Sequence, residues 1–384
     1  MFISSLKRVP FAECGSVYSQ ISAKKLCSDL VGGVLEDSHI SPQGFALGCA
    51  MQGQKYNLPK QILNAANAPE HIHTVMLNKS CGSGIAALLY AFKYLYFNDS
   101  VRTFLYAAVE NAKDSDFELD DARNAANDSV VSDSSVVDFD ENSMVSERKI
   151  GKIHHHFLHD IHGNLIGKVA ENLAQKHELS REMQEAYVMN SYNKYLRNRA
   201  KIAKDIMPYN GLVEDEIPSK FNVFRLKSLA PIYEENGTIT AATAGKIANG
   251  AACGLLHQTR RSEDDAEILG FAEYAGPSSV FIQAPIFAVS KLLNKLKLRV
   301  EDVNFFEVNE AFAITPLSFM RAFSIPEEKV NVHSGACVIG HPFGVSSLNV
   351  VINLVRALIE RGGGIGIAAI CINSGESVAI AIRV

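Results

Sequence analysis

His73-Thr74-Val75-Met76-Leu77-Asn78-Lys79-Ser80-Cys81-Gly82-Ser83-Gly84, with the apolar run that follows it over residues 85–97, decides the fold class. Residues 73–78 are apolar and β-branched enough to read as a strand, and they run straight into a glycine-rich turn. Beyond the turn, Ile85, Leu88, Leu89, Phe92 and Leu95 leave almost no polar face, so the helix is expected to be buried all round. Residues 101–109 form a second buried strand. Strand, turn, buried helix and strand make a βαβ unit, which implies a parallel sheet with a right-handed crossover.

Working outward, residues 18–35 read as an amphipathic helix and residues 44–50 as a short strand. Composition shifts over residues 113–163, which are rich in Asp, Asn, Ser and His. This is an excursion from the core. Amphipathic helices follow over residues 167–176 and 181–203, the second with Ser180 as its N-cap and Met183, not Glu, at the capping-box position. The α/β pattern then resumes. Strands are expected at 266–275, 303–308 and 330–333, with helices over 285–296, after Asn309 and over 344–361. Two last strands, 364–371 and 377–382, are joined by Asn373-Ser374-Gly375. The grammar predicts an α/β chain of two similar halves, 1–265 and 266–384, with a loop domain inserted in the first at about 113–235.

Bulk properties exclude several classes. A chain of 384 residues with 47% hydrophobic and 21% charged residues, 26 Gly and 12 Pro is neither disordered nor fibrous. A net charge of −5 supplies no attraction to nucleic acid or anionic membrane. Seven cysteines, odd in number and without a Cys-x-x-Cys pair, argue against a disulfide framework or zinc ribbon and for a reducing compartment. No leader, no span-length apolar run and no peroxisomal address stand out, so no membrane insertion and a cytoplasmic location are expected.

Four short motifs carry chemistry. Cys81 stands where a helix begins, and the unpaired N–H groups and helix dipole there favour thiolate. His341 is displayed on Gly340-His341-Pro342-Phe343-Gly344, with Pro342 suited to a first helical turn. Asn309 occupies a strand-to-helix junction in Val308-Asn309-Glu310-Ala311-Phe312, and Cys371 lies before the terminal turn in Cys371-Ile372-Asn373-Ser374-Gly375. Each alone has a plain structural explanation: a buried cysteine, a solvated histidine, an N-cap. Together, all four fall at or near the ends of expected strands, where α/β sheets place their sites.

In that order, Asn-Lys-Ser-Cys-Gly-Ser-Gly, Asn-Glu-Ala-Phe, Gly-His-Pro-x-Gly and Cys-Ile-x-x-Gly resemble the thiolase family. Gly237-Thr238-Ile239-Thr240-Ala241, Ala170-Glu171-Asn172-Leu173-Ala174 and residues 330–336 resemble it too, and the likeness runs from about Arg8 to Val384. It implies a five-layered α-β-α-β-α sandwich, acyltransferase chemistry in fatty acid metabolism, and a homodimer or homotetramer. Acyl-CoA and coenzyme A would be substrate and product, with no permanently bound cofactor and no metal. Cys81 would be the nucleophile, His341 its base and Cys371 the general acid/base. Asn309, through a water, would help His341 stabilise an enolate oxygen, and the backbone N–H groups of Cys81 and Asn373 would form a second oxyanion hole.

The chain also departs from the family pattern. Asn373 and Ser374 stand where glycines are usual, and Ala107-Ala108-Val109-Glu110-Asn111 replaces Gly-Gly-Met-Glu-Ser. Gly245-Lys246 and Leu165-Ile166 replace residues that contact coenzyme A or the acyl group. Gly245, Lys246, Leu165, Ile166 and Phe312 are therefore the expected substrate-binding positions, with altered chemistry. His154, His155, His156, His159 and His162 crowd one segment and include an i,i+4 pair, but no carboxylate completes a metal site, so none is expected. Two other readings stay open. A ketoacyl-carrier-protein synthase would pair its cysteine with two His, or with His and Asn, and Cys371 counts against it. A non-catalytic acyl-CoA or lipid-binding relative would have lost a catalytic residue.

Overall fold

The computed structural model describes residues 1–51, 56–114 and 161–384; His154, His155, His156 and His159 lie outside them. In the first half, β1 (Phe2–Arg8) and the two-residue β2 (Ala12–Glu13) lead to α1 (Ala23–Ser38). There follow β3 (Gly44–Gly48), α2 (Leu58–Ala65), β4 (His73–Leu77), α3 (Ser83–Phe97) and β5 (Thr103–Glu110). After the insert, β6 (Ala248–His257) closes that half. The second half runs β7 (Ala266–Ala275), α6 (Ala284–Leu296), β8 (Phe305–Val308), α7 (Ile314–Phe323), the short α8 (Ala336–Ile339), α9 (Phe343–Arg361), β9 (Ile365–Ile372) and β10 (Glu376–Arg383).

Strand pairing shows the internal repeat that residue identities hide. In the first half β3 pairs in parallel with β4 and β5, β5 pairs antiparallel with β6, and β6 antiparallel with β1. In the second, β8 pairs in parallel with Val330 and β9, β9 antiparallel with β10, and β10 antiparallel with β7. The two outermost partners, β1 and β7, meet antiparallel at Phe2–Glu267 and Ile3–Ala266. One hydrogen-bonded sheet therefore runs through both halves.

Layering follows from alternation along strands buried on both faces. On β5, Leu105, Ala107 and Val109 face the cluster around α1 and α2, whereas Phe104, Tyr106 and Ala108 face the central cluster with α3 and α9. On β9, Ile367 and Ala369 face the cluster that holds α6 and α7, and Ala368 and Ile370 face the centre. The result is five layers, α-β-α-β-α. The two central helices touch closely, because a Cβ on Gly84 would come within 2.6 Å of the Gly344 carbonyl oxygen. Ile85 N donates across the same contact to Ser347 Oγ at 3.0 Å.

α9 has the length and apolarity of a membrane span, which the sequence was not expected to contain. Here that apolarity faces protein, since most of the helix is buried in the central layer.

The insert leaves after β5 and returns at β6. Its described part holds α4 (Ile166–Lys176) and α5 (Arg181–Ile202), the latter capped by Ser180 Oγ accepting from Met183 N at 3.4 Å. A buried bidentate pair, Arg8 to Asp215 at 2.6 and 2.7 Å, ties it to β1, and Asp215 also accepts from Phe11 N at 2.7 Å.

Two expectations fail locally. The first helix begins at Ala23, not residue 18, because Ser22 caps it by accepting from Lys25 N at 3.1 Å. Residues 330–333 are not a strand, so Gly340-His341 follows the short α8 instead. Asn331 sits at φ +49° and turns its side-chain amide onto β8, accepting from Val308 N at 2.8 Å and donating to Val308 O at 2.9 Å. The side chain does what a strand backbone would have done.

Candidate active site

Cys81 is delivered by a tight turn at the end of β4. Asn78 Nδ2 donates to Ala50 O at 3.1 Å, while its Oδ1 accepts from Ser80 N at 3.0 Å. Ser83 Oγ accepts from Lys79 N at 2.9 Å and donates to Ser80 O at 2.6 Å. These bonds hold Ser80 at φ +50°, a left-handed conformation that costs about 1–2 kcal/mol in an L-residue. Lys79 reaches across the halves to bond the Glu376 carboxylate at the start of β10. The turn bearing Cys81 is thereby fastened to the hairpin bearing Cys371.

His341 follows Gly340, whose φ of +104° and whose closeness to Ile217 Cδ1 (2.7 Å from a Cβ placed there) require glycine. His341 N donates to Lys246 O at 2.6 Å, and the ring Nδ1 lies 2.6 Å from Ser346 Oγ. Ser346 Oγ donates to Pro342 O at 3.3 Å, so it accepts a hydrogen bond from Nδ1–H and leaves Nε2 as the unprotonated nitrogen. Cys371 lies on β9 and is 2% exposed. Asn373 begins the turn whose left-handed position is taken by Gly375 at φ +90°. Asn373 is not required to adopt positive φ, so its standing where glycine is usual puts no backbone strain on this turn.

These elements meet at one cavity of about 50 Å³, whose wall includes Cys81, His341, Cys371, Asn373, Gly245 and Phe312. Ile166, Tyr233, Phe281 and Phe343 supply further apolar wall. Three expected site residues lie elsewhere. Leu165 precedes α4, where its carbonyl accepts from Lys168 N and Val169 N, and it does not line the cavity. Lys246 contributes its backbone to His341, while its ammonium turns away to the Phe221 ring, 5.4 Å from the centroid. Asn309 lines a second cavity of about 10 Å³ with Gly340 and Ser346, roughly the room of one water. Its backbone N–H continues the β8–β9 ladder to Ala369 O at 3.0 Å, and its Nδ2 has no hydrogen-bond partner among the described residues.

Electrostatics correct the expected thiolate. Burial pushes the Cys81 thiol up to about 12, with the charge of Glu110 acting in the same direction and a contact from Ser80 opposing it. The Cys371 thiol is also raised, by burial first and then by the charge of Cys81. Burial lowers His341 to about 4. The resting set is therefore two thiols and a neutral imidazole whose Nε2 can accept a proton.

Buried carboxylates that the motifs did not announce hold the frame. Glu310 accepts from Tyr187 Oη at 2.5 Å, Asn331 Nδ2 at 3.0 Å and Cys337 N at 3.0 Å, which fixes the segment leading to His341. Glu110, fully buried, accepts from Ala50 N, Met51 N and Gly344 N. Sequence reasoning noted Glu110 only as part of a divergent stretch. A lone Glu ending a buried strand was the available signal.

Comparison with known proteins matches this geometry to one family. The thiolase N-terminal domain model matches residues 1–260 and the thiolase C-terminal domain model residues 263–384. The chain is 30% identical to acetyl-CoA acetyltransferase IA of Candida tropicalis, over all of this chain and 97% of that protein. It is 28% identical to a probable acetyl-CoA acyltransferase of Staphylococcus aureus (strain COL), over 99% of this chain and 98% of that one. Among solved structures, a thiolase from Ascaris suum in complex with coenzyme A superposes with a TM-score of 0.84 at 27% identity, covering 100% and 99% of the two chains. Human mitochondrial 3-ketoacyl-CoA thiolase in complex with CoA gives 0.84 at 25% identity, covering 100% and 97%. With both domain models matched across its length and a site built from both halves, this chain belongs to the thiolase family.

Proposed function

We propose that this thiolase transfers acyl groups to and from coenzyme A, making or cleaving 3-ketoacyl-CoA through an acyl group carried on Cys81. The observation that carries the reading is the meeting of Cys81, His341, Cys371 and Asn373 on one cavity wall. In the first half-reaction His341 Nε2 takes the Cys81 proton and the sulfur attacks the acyl carbonyl. For a thioester, the departing coenzyme A thiolate takes its proton from Cys371, while the imidazolium keeps the Cys81 proton and returns it when Cys81 leaves in the second half-reaction. Because His341 is neutral and Cys81 protonated at rest, proton transfer has to accompany attack. Cys371, held as a thiol, is suited to protonate the carbanion that leaves in cleavage. In condensation the Cys371 thiolate, formed when its proton goes to the departing coenzyme A, would take the α-proton of the second thioester, since the same groups serve both directions. The backbone N–H groups of Cys81 and Asn373 would bind the oxyanion, and Asn309, which lines the neighbouring cavity and not this one, would reach the enolate oxygen only through a water beside His341.

A cavity of about 50 Å³ walled by Ile166, Tyr233, Phe281 and Phe312 favours short acyl groups. An apolar cavity near 150 Å³ is what benzene needs. Assembly as a homodimer or homotetramer, and a cytoplasmic location, belong to the same reading. No disulfide joins the seven cysteines among the described residues, in keeping with a reducing compartment.

The test is intact-protein mass spectrometry after mixing with acetyl-CoA, alongside Cys81→Ala. The parent should gain one acetyl group and the variant none. If longer acyl-CoAs and a 3-ketoacyl-CoA also leave the parent unmodified, the catalytic reading falls and an acyl-CoA-binding role replaces it.

A further inference from the structure

Glu110 ends β5 and is 0% exposed. Its Oε1 accepts from Ala50 N at 2.6 Å and Gly344 N at 3.1 Å, and its Oε2 accepts from Met51 N at 3.0 Å. Ala50 and Met51 follow β3, and Ala50 O is the acceptor for Asn78, which shapes the Cys81 turn. Gly344 lies three residues after His341 in the first turn of α9. One carboxylate thus touches the backbone on which each half of the site is built. The fit is close, since a Cβ on Gly344 would stand 2.8 Å from Glu110 Oε1 and 2.9 Å from Ser83 Cβ.

We propose that Glu110 is a positioning residue that clamps the turn presenting Cys81 against the turn presenting His341. Its three amide bonds fix the separation over which the proton of Cys81 travels, while its own atoms stay off the cavity wall. Burial raises the carboxyl to about 7, with the three amides pulling it back, so these bonds sustain a charge the interior opposes. That charge resists ionisation of Cys81. Clamping therefore favours transfer between correctly placed partners over general reactivity of the thiol.

The inference rests on the acyltransferase reading above, and the test separates the two. Parent, Glu110→Gln and Gly344→Ala would be compared in steady-state thiolysis, in single-turnover acylation by acetyl-CoA and in alkylation of Cys81 by iodoacetamide. Gln keeps the volume and one acceptor atom but turns an NH₂ toward Met51 N–H. Ala at 344 presses a methyl onto the carboxylate. Each variant should lose at least tenfold in kcat and acylation rate with KM within threefold, and Glu110→Gln should alkylate as fast as the parent or faster. The double variant should lose less than the product of the two. A kcat within threefold of the parent in both variants overturns the proposal. So does a matching fall in alkylation and turnover, which would mark a merely structural role. If Glu110→Gln does not fold, Gly344→Ala is judged by the same criteria. Failure of the parent itself to acylate would instead remove the underlying reading.

Discussion

Two effects compete at the sulfur of Cys81, and their sizes decide the outcome. A helix N-terminus is worth about 0.3–1 kcal/mol, less than one unit at about 1.4 kcal/mol per unit. Burial acts more strongly in the other direction and takes the thiol to about 12. Alkylation of free enzyme by iodoacetamide should therefore rise about tenfold per pH unit from 7 to 10 without levelling. A plateau near pH 7 would restore the dipole-stabilised thiolate. At this scale the sequence was informative where a side chain is displayed by its own turn, as with Cys81, His341 and Cys371. It gave no role to Glu110 and Lys79, whose partners are distant in sequence, or to Ser346, whose partner His341 is only five residues away. Lys246 and Leu165 do not line the cavity, because spacing places a residue near a site without saying where its side chain points.

Among elements, strongly periodic or continuously apolar segments were legible: α3, α5, α9, β5 and β9 lie within a few residues of expectation. β6 was missed. Its Ala-Asn-Gly-Ala-Ala-Cys-Gly-Leu-Leu-His is poor in β-branched residues, and the small side chains fit because neighbours crowd in, Tyr106 Oη among them. Residues 330–333 went wrong the opposite way, since valines suggested a strand where Asn331 supplies the pairing by side chain. Asn331→Ala would remove its bonds to Val308, Glu310 and Tyr187. It should cost about 2–4 kcal/mol, given the penalty for leaving buried partners unsatisfied. Urea unfolding would measure it, and a loss under 0.5 kcal/mol would show that residues 330–333 are held by something else.

At the scale of the whole molecule, the division into two halves with an insert was visible in the repeated βαβ grammar, whereas their joining through β1 and β7 was not. The other limit of the first half is β4, which among the described residues pairs only with β3. Thr74, Val75, Met76 and Leu77 are half-buried along it. Such an edge invites a second strand, and a two-fold axis would supply an antiparallel copy of itself. We predict that sedimentation equilibrium gives at least twice the mass of one chain, and that Val75→Lys shifts the protein toward monomer. A parent that stays monomeric at tens of micromolar would exclude this edge as the contact.

The pairing of β1 also bears on how the protein is made. Phe2 to Arg8 find their partners at Ala252–His257 and Ala266–Glu267, some 250 residues further along the chain. At about 5–20 residues per second, the ribosome holds that first strand without its neighbours for roughly 10–50 s. The first strand is thus translated early and paired late, and a nascent chain halted before residue 248 would lack the strand that joins β1 to β5.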